Sequence, residues 1–192
     1  MNRKILLGAL MALGGITFLS FSFKEKGNPL EADHPSSQPN PYEGLKRLAY
    51  STTYNQLHLP QAGGKEVLYG VLMDWDYEGK AIITLVSFRT GDASLYFSTG
   101  AVIIGGGQHA EVAETSKAFI NQAESLLSEA SSADTALRAE PGMLKFYLLT
   151  TKGKYTIRDK IDNVYNQTSK LSGLFAKANE LISAVRKVTP ER

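Results

Sequence analysis

No cysteine occurs anywhere in the 192 residues. That one lack excludes disulfide frameworks, thiolate zinc sites, acylation on a lipoprotein cysteine and cysteine nucleophiles together. An excess of one charge is also missing. With 21 basic and 19 acidic side chains the formal net charge is +2, so no strong basic field marks a nucleic-acid binder and no nucleic-acid partner is expected. No internal repeat of useful period appears. The apolar fraction of 43% fills one core, and the length speaks against a second full domain. The near balance of charge hides a split. Residues 66–140 carry eleven acidic and four basic side chains, whereas residues 141–192 carry ten basic and four acidic. Two readings follow: the halves attract each other within the fold, or the basic half presents a face to anionic lipid or another acidic partner.

What is present begins at the N-terminus. Met1-Asn2-Arg3-Lys4 is a short basic start, and the 19 residues from Ile5 to Phe23 are uncharged and mostly apolar. As a helix they would span roughly 28 Å, close to the thickness of a bilayer core and longer than the apolar region of most signal peptides. Ser20 and Ser22 are small residues at the spacing a signal peptidase reads, so residues 1–23 are expected to be either a membrane anchor or a signal peptide cut after Ser22. In both cases the charges of Arg3 and Lys4 keep the N-terminus cytoplasmic and the remainder exported. Residues 24–43 then read as a tether, punctuated by Pro29, Pro35, Pro39 and Pro41 and biased towards extended backbone. His34 within it has no assigned role.

Residues 44–188 are expected to form the globular body and 189–192 a tail. A short helix is expected over Gly44–Thr53. Three strands follow, joined by turns at Glu78-Gly79 and Gly91-Asp92, with apolar residues on both alternating faces of the first two. Val112, Ser116, Phe119, Ala123 and Ala130 recur at helical spacing within an amphipathic helix over Gln108–Ala130. A second hairpin, Met143–Thr150 with Lys154–Ile157, turns at Lys152-Gly153, and Thr156 with Asp159 has the spacing of a capping box for a last helix. Its apolar stripe from Ile161 to Val185 fits packing on the sheet better than a coiled-coil seam. The sum is an α+β fold: one five-stranded, mainly antiparallel sheet with a central amphipathic helix and a C-terminal helix, preceded by the N-terminal apolar helix. The layout resembles, at the level of fold alone, the roadblock, longin and profilin group of small domains.

Few residues carry chemistry by pattern. The stretch "GAVIIGGGQHAE" at 100–111 has the glycine spacing of a phosphate-binding loop, but Gly106 and Gly107 stand where that mechanism needs a lysine and a hydroxyl. Gly105, Gly106 and Gly107 therefore read either as a tight turn from strand to helix or as a nucleotide-binding turn, the first being favoured. Asp74 and Asp76 lie on one side of a strand and with Glu78 offer three oxygens to a divalent cation; the same residues also suit a solvated hairpin end. Trp75 points to the opposite face, where core packing outweighs ligand stacking. His109, in the first turn of the central helix, offers a neutral imidazole as a base, and Ser98 is the nucleophile candidate that goes with it. No third catalytic member and no cofactor can be named. His58, in "QLHLP", fits a loop or edge.

Met73, Asp74 and Trp75 at a strand end, Ala93-Ser94-Leu95-Tyr96 after a Gly-Asp turn, and Gly105 to Gly107 before an acidic helix together resemble a group of small uncharacterised bacterial proteins. The resemblance covers most of residues 66–157 and implies no known activity. The expectation is an exported or membrane-tethered binding module of the bacterial envelope, with a protein partner there and residues 5–23 in the membrane if uncut. An envelope hydrolase or metal-dependent enzyme using Asp74, Asp76 and His109 is the alternative, and a nucleotide-binding module through Gly105–Gly107 the third reading.

Overall fold

The computed structural model describes residues 40–133 and 140–188. The apolar segment 5–23, nearly all of the tether and the tail 189–192 lie outside the described residues. Among those described, no helix is long and apolar enough to cross a membrane.

The fold is α+β, built on one antiparallel sheet. Its strands are β1 (Leu68–Tyr77), β2 (Ala81–Phe88), β3 (Ala93–Phe97), β4 (Val102–Ile103), β5 (Ser131–Ser132), β6 (Met143–Thr150) and β7 (Gly153–Lys160), in the spatial order β4-β3-β2-β1-β6-β7-β5. The expected five strands are thus corrected to seven. Both additions are two-residue strands at the sheet edges, and each is made by its neighbour rather than by its own sequence. Gly100, at φ +102°, turns the chain so that Val102 and Ile103 pair with Tyr96 and Leu95. Ser131 and Ser132, with no β-forming side chain between them, pair with Thr156 and Tyr155.

Among the described residues four α-helices accompany the sheet: α1 (Tyr42–Ser51), α2 (Ala110–Glu124), α3 (Ile161–Tyr165) and α4 (Ser172–Lys187). The first begins two residues before the expected start. Tyr42, assigned by sequence to the tether, is fully buried on the sheet, where its hydroxyl meets Thr84 Oγ1 at 2.8 Å. The central helix ends at Glu124 and passes into a 3-10 turn at Leu127–Glu129. Thr156 and Asp159 do not cap a helix, because β7 runs on to Lys160 in register with β6, and the cross-strand ladder overrides the local capping signal.

β1 sits at the centre, and nine of its ten residues are buried because both sheet faces are covered. On one face lie α1 and the connection that follows it, packed over Leu72, Val86, Tyr96, Tyr147 and Leu149. On the other lie α2 and α4. Phe119 meets Phe146 with ring centroids 6.2 Å apart, Ser116 hydrogen bonds to Ser87 at 2.7 Å, and Phe175 stacks edge-on against Trp75 at 5.3 Å. A bulge between Leu68 and Gly70 sends Tyr69 to the α1 side, although strict alternation would place it with Val71 and Met73.

Candidate functional site

Asp74 is in the middle of β1 rather than at a hairpin end, and it is entirely buried beneath α1. Its position follows from register. Facing Thr84 on β2 and Lys145 on β6, it projects towards α1, which supplies Lys46 from the same turn-spaced face as Tyr42, Ala49 and Tyr50. Lys46 Nζ donates to Asp74 Oδ2, Thr84 Oγ1 donates to Oδ1 at 2.7 Å, and Tyr147 OH reaches Oδ2 at 3.3 Å. A buried carboxylate is tolerable here because its charge is matched and its lone pairs are used. Tyr147 is held un-ionised: burial pushes its phenol far above the usual tyrosine range, and the Asp74 charge adds to that.

Asp76 shares that face, as the alternation requires, but serves the turn. Its Oδ1 accepts from the Gly79 amide at 3.1 Å and its Oδ2 from the Gly142 amide at 2.6 Å. Glu78 is in an exposed ion pair with Lys80 at 2.7 Å. The three proposed oxygen donors are therefore each committed to a separate partner, and no group of three metal-ligating side chains occurs among the described residues. Trp75 packs edge-on against Tyr77 and Phe175 on the other face, 3% exposed.

Ser98 and His109 are not brought together. Ser98 follows β3 and its Oγ accepts the Ile82 amide at 2.9 Å, completing the edge of the sheet. The glycine turn before His109 packs against Asp92, which precedes β3. Six residues of extended chain thus separate Ser98 from that turn, on the order of 20 Å. His109 is the exposed N-cap residue of α2, in extended conformation, with its carbonyl accepting from Ala113. The glycines have separate structural reasons. Gly105 adopts φ +89°, Gly106 is buried where a Cβ would lie 3.0 Å from Val112 Cγ1, and a Cβ on Gly107 would lie 2.9 Å from Asp92 Cα. The Asp92 carboxylate crowds Gly107 as well, and a carboxylate beside the turn disfavours an anion there.

One cavity lies away from all of these residues. The connection Thr53–Gly64 arches over the ends of β1 and β6 and leaves an open groove of about 620 Å³. Tyr54, Gln61, Ala62, Tyr69, Thr150 and Thr151 are among its walls. Tyr54 and Tyr69 meet edge to face at 5.7 Å, Tyr69 OH donates to the Thr52 carbonyl at 3.0 Å, and Tyr54 OH donates to that of Pro60.

No family model, curated protein or solved structure matches the chain. The chemistry of the groove has to be taken from its own residues. Its lining is neutral throughout: hydroxyls, amides, phenols and glycine backbone, with no carboxylate, imidazole or amine. Burial raises the Tyr69 phenol above its ordinary range, so it too stays protonated. Such walls offer ring faces and hydrogen bonds, and a carboxylate stands just behind them, where Glu66 Oε1 accepts from Thr150 Oγ1 at 2.7 Å. Pattern analysis misses this groove because residues 53–64 have no periodicity. The only local signal is the punctuation of Pro60, Gly63 and Gly64 before a strand.

Proposed function

We propose that the chain is an exported or membrane-tethered binding module of the bacterial envelope, and that the groove between Thr53–Gly64 and the β1/β6 ends receives a protein partner. The observation that carries this reading is the groove's lining. It combines an aromatic floor with neutral hydrogen-bonding walls. A partner segment laid there would find ring faces at Tyr54 and Tyr69 and side-chain amides at Asn55 and Gln61. Export rests on the basic start and the apolar run at 5–23, and the tether after it would let the body reach partners away from the membrane. The enzyme alternative draws no support from the geometry, since Asp74, Asp76 and Ser98 each serve a separate structural contact and His109, exposed at the start of α2, is not brought to any of them.

The test is capture of partners from detergent-solubilised membranes by the full chain, beside an Ala62→Trp variant that fills the groove. At least one protein is expected with the wild type and is lost with the variant, while both baits keep the same circular dichroism. The intact mass of the recovered bait reports whether residues 1–22 have been removed. An identical set of captured proteins from both baits would contradict the groove as the binding site.

A further inference from the structure

The split of charge along the chain is only partly neutralised within the fold. Lys187 pairs with Glu111 at 2.7 Å, Lys170 with Glu129, and Arg158 with Glu140 at 2.5 Å. Several of the basic side chains of residues 141–192 stand on the β6–β7 hairpin. Lys145 stands directly across the ladder from Arg158, and Lys154 directly across from Leu149, all three on the sheet face that α1 partly covers. Like charges directly opposite one another destabilise an antiparallel pair. Lys145 is nevertheless half-buried, and among the described residues it has no ion pair or hydrogen bond, only the Tyr147 ring 4.8 Å away. Lys154 lies over the Tyr50 ring at 4.1 Å. The carboxylates nearby are already engaged, Asp74 by Lys46 and Thr84, Glu140 by Arg158. Burial lowers the Lys145 ammonium below its ordinary range. Arg158 presses the same way and Lys46 does so less strongly, while Asp74 and, least of all, Glu140 oppose them.

We propose that Lys145 and Arg158, with Lys154 further along the hairpin, form a binding site for a phosphate group. A half-buried ammonium beside a guanidinium, on aromatic rings and without a counterion of its own among the described residues, is unfavourable for the fold and favourable for an incoming oxyanion. The Arg158–Glu140 pair is exposed on both sides and worth little, so a phosphate displaces Glu140 at small cost. Two amines with no ion pair among the described residues match a phosphate monoester, which carries a charge of roughly −1.5 to −2 near neutral pH, better than a single carboxylate. This site stands independently of the groove.

The test measures reductive methylation of each lysine in the full chain by mass spectrometry at constant ionic strength. The arms are chloride alone, inorganic phosphate, phosphatidylcholine vesicles, and the same vesicles containing phosphatidic acid. Either inorganic phosphate or the phosphatidic acid headgroup slows methylation of Lys145 and Lys154 severalfold and leaves Lys177 unchanged. Protection by phosphate itself assigns a free phosphate compound, and protection by the vesicles alone assigns the lipid headgroup. Arg158→Gln weakens the protective ligand about tenfold, as loss of one charge-assisted contact should. Lys145→Met abolishes the effect at Lys154 and keeps or raises the urea midpoint, because it removes a repelled charge. Equal methylation in all four arms overturns the proposal. So does a loss of stability shared by Lys145→Met and Lys145→Gln, which would assign the ammonium to the fold.

Discussion

Lys46 and Asp74 meet where water does not reach, and the energetics of such a pair are asymmetric. Joined, two desolvated charges roughly offset their burial. Separated by mutation, the survivor is a buried unpaired ion, which costs about 3–5 kcal/mol. Lys46→Met alone and Asp74→Asn alone are therefore each expected to lower the stability in urea steeply, whereas Lys46→Met combined with Asp74→Asn recovers a large part of the loss. Equilibrium denaturation of the four proteins checks this, and additive losses in the double variant would show that the residues do not act as a pair. The residue types were visible in the sequence but their roles were not. Asp74 looks like part of the Asp76–Gly79 turn because acids beside glycine usually are turn residues, and only the ten-residue length of β1 places it inside a strand. Lys46 does leave a trace: a lysine four residues from both Tyr42 and Tyr50, on the stripe a helix turns inward, needs a buried partner.

At the scale of elements, hydrophobic period reveals the long strands and helices, and neighbours decide the short ones. β1, β2, β3, β6 and β7 are legible because each alternates or runs apolar between turn residues. β4 and β5, two residues each, lie below any period, and their shortness leaves little exposed edge for another chain to pair with. The glycine turn belongs to this scale, since it aims α2 at the sheet. Gly105→Ala places a side chain at φ +89° and should cost about 1 kcal/mol. Gly107→Ala should cost more, because Asp92 backbone must move to admit a Cβ. Thermal or urea unfolding gives both values. A Gly107→Ala protein as stable as wild type would remove the packing explanation and return the turn to ligand binding.

For the molecule as a whole, the α+β class and the coverage of both sheet faces follow from sequence, and the groove does not, because it is made by three segments that meet only once the sheet is assembled. Residues 53–64, Tyr69 and the β6–β7 turn are separated by up to about 100 positions in the chain, and none of them has a motif. The central claim is that this groove, and no other part of the described surface, meets the partner. Site-specific photocrosslinking in the native host tests it most directly, with the crosslinker placed at Gln61 in the groove and, as a control, at Ala176 on the exposed side of α4. The account predicts a discrete protein adduct from Gln61 that disappears when Ala62→Trp is added, and none from Ala176. Adducts of equal yield from both positions, or an adduct from Ala176 alone, would contradict it.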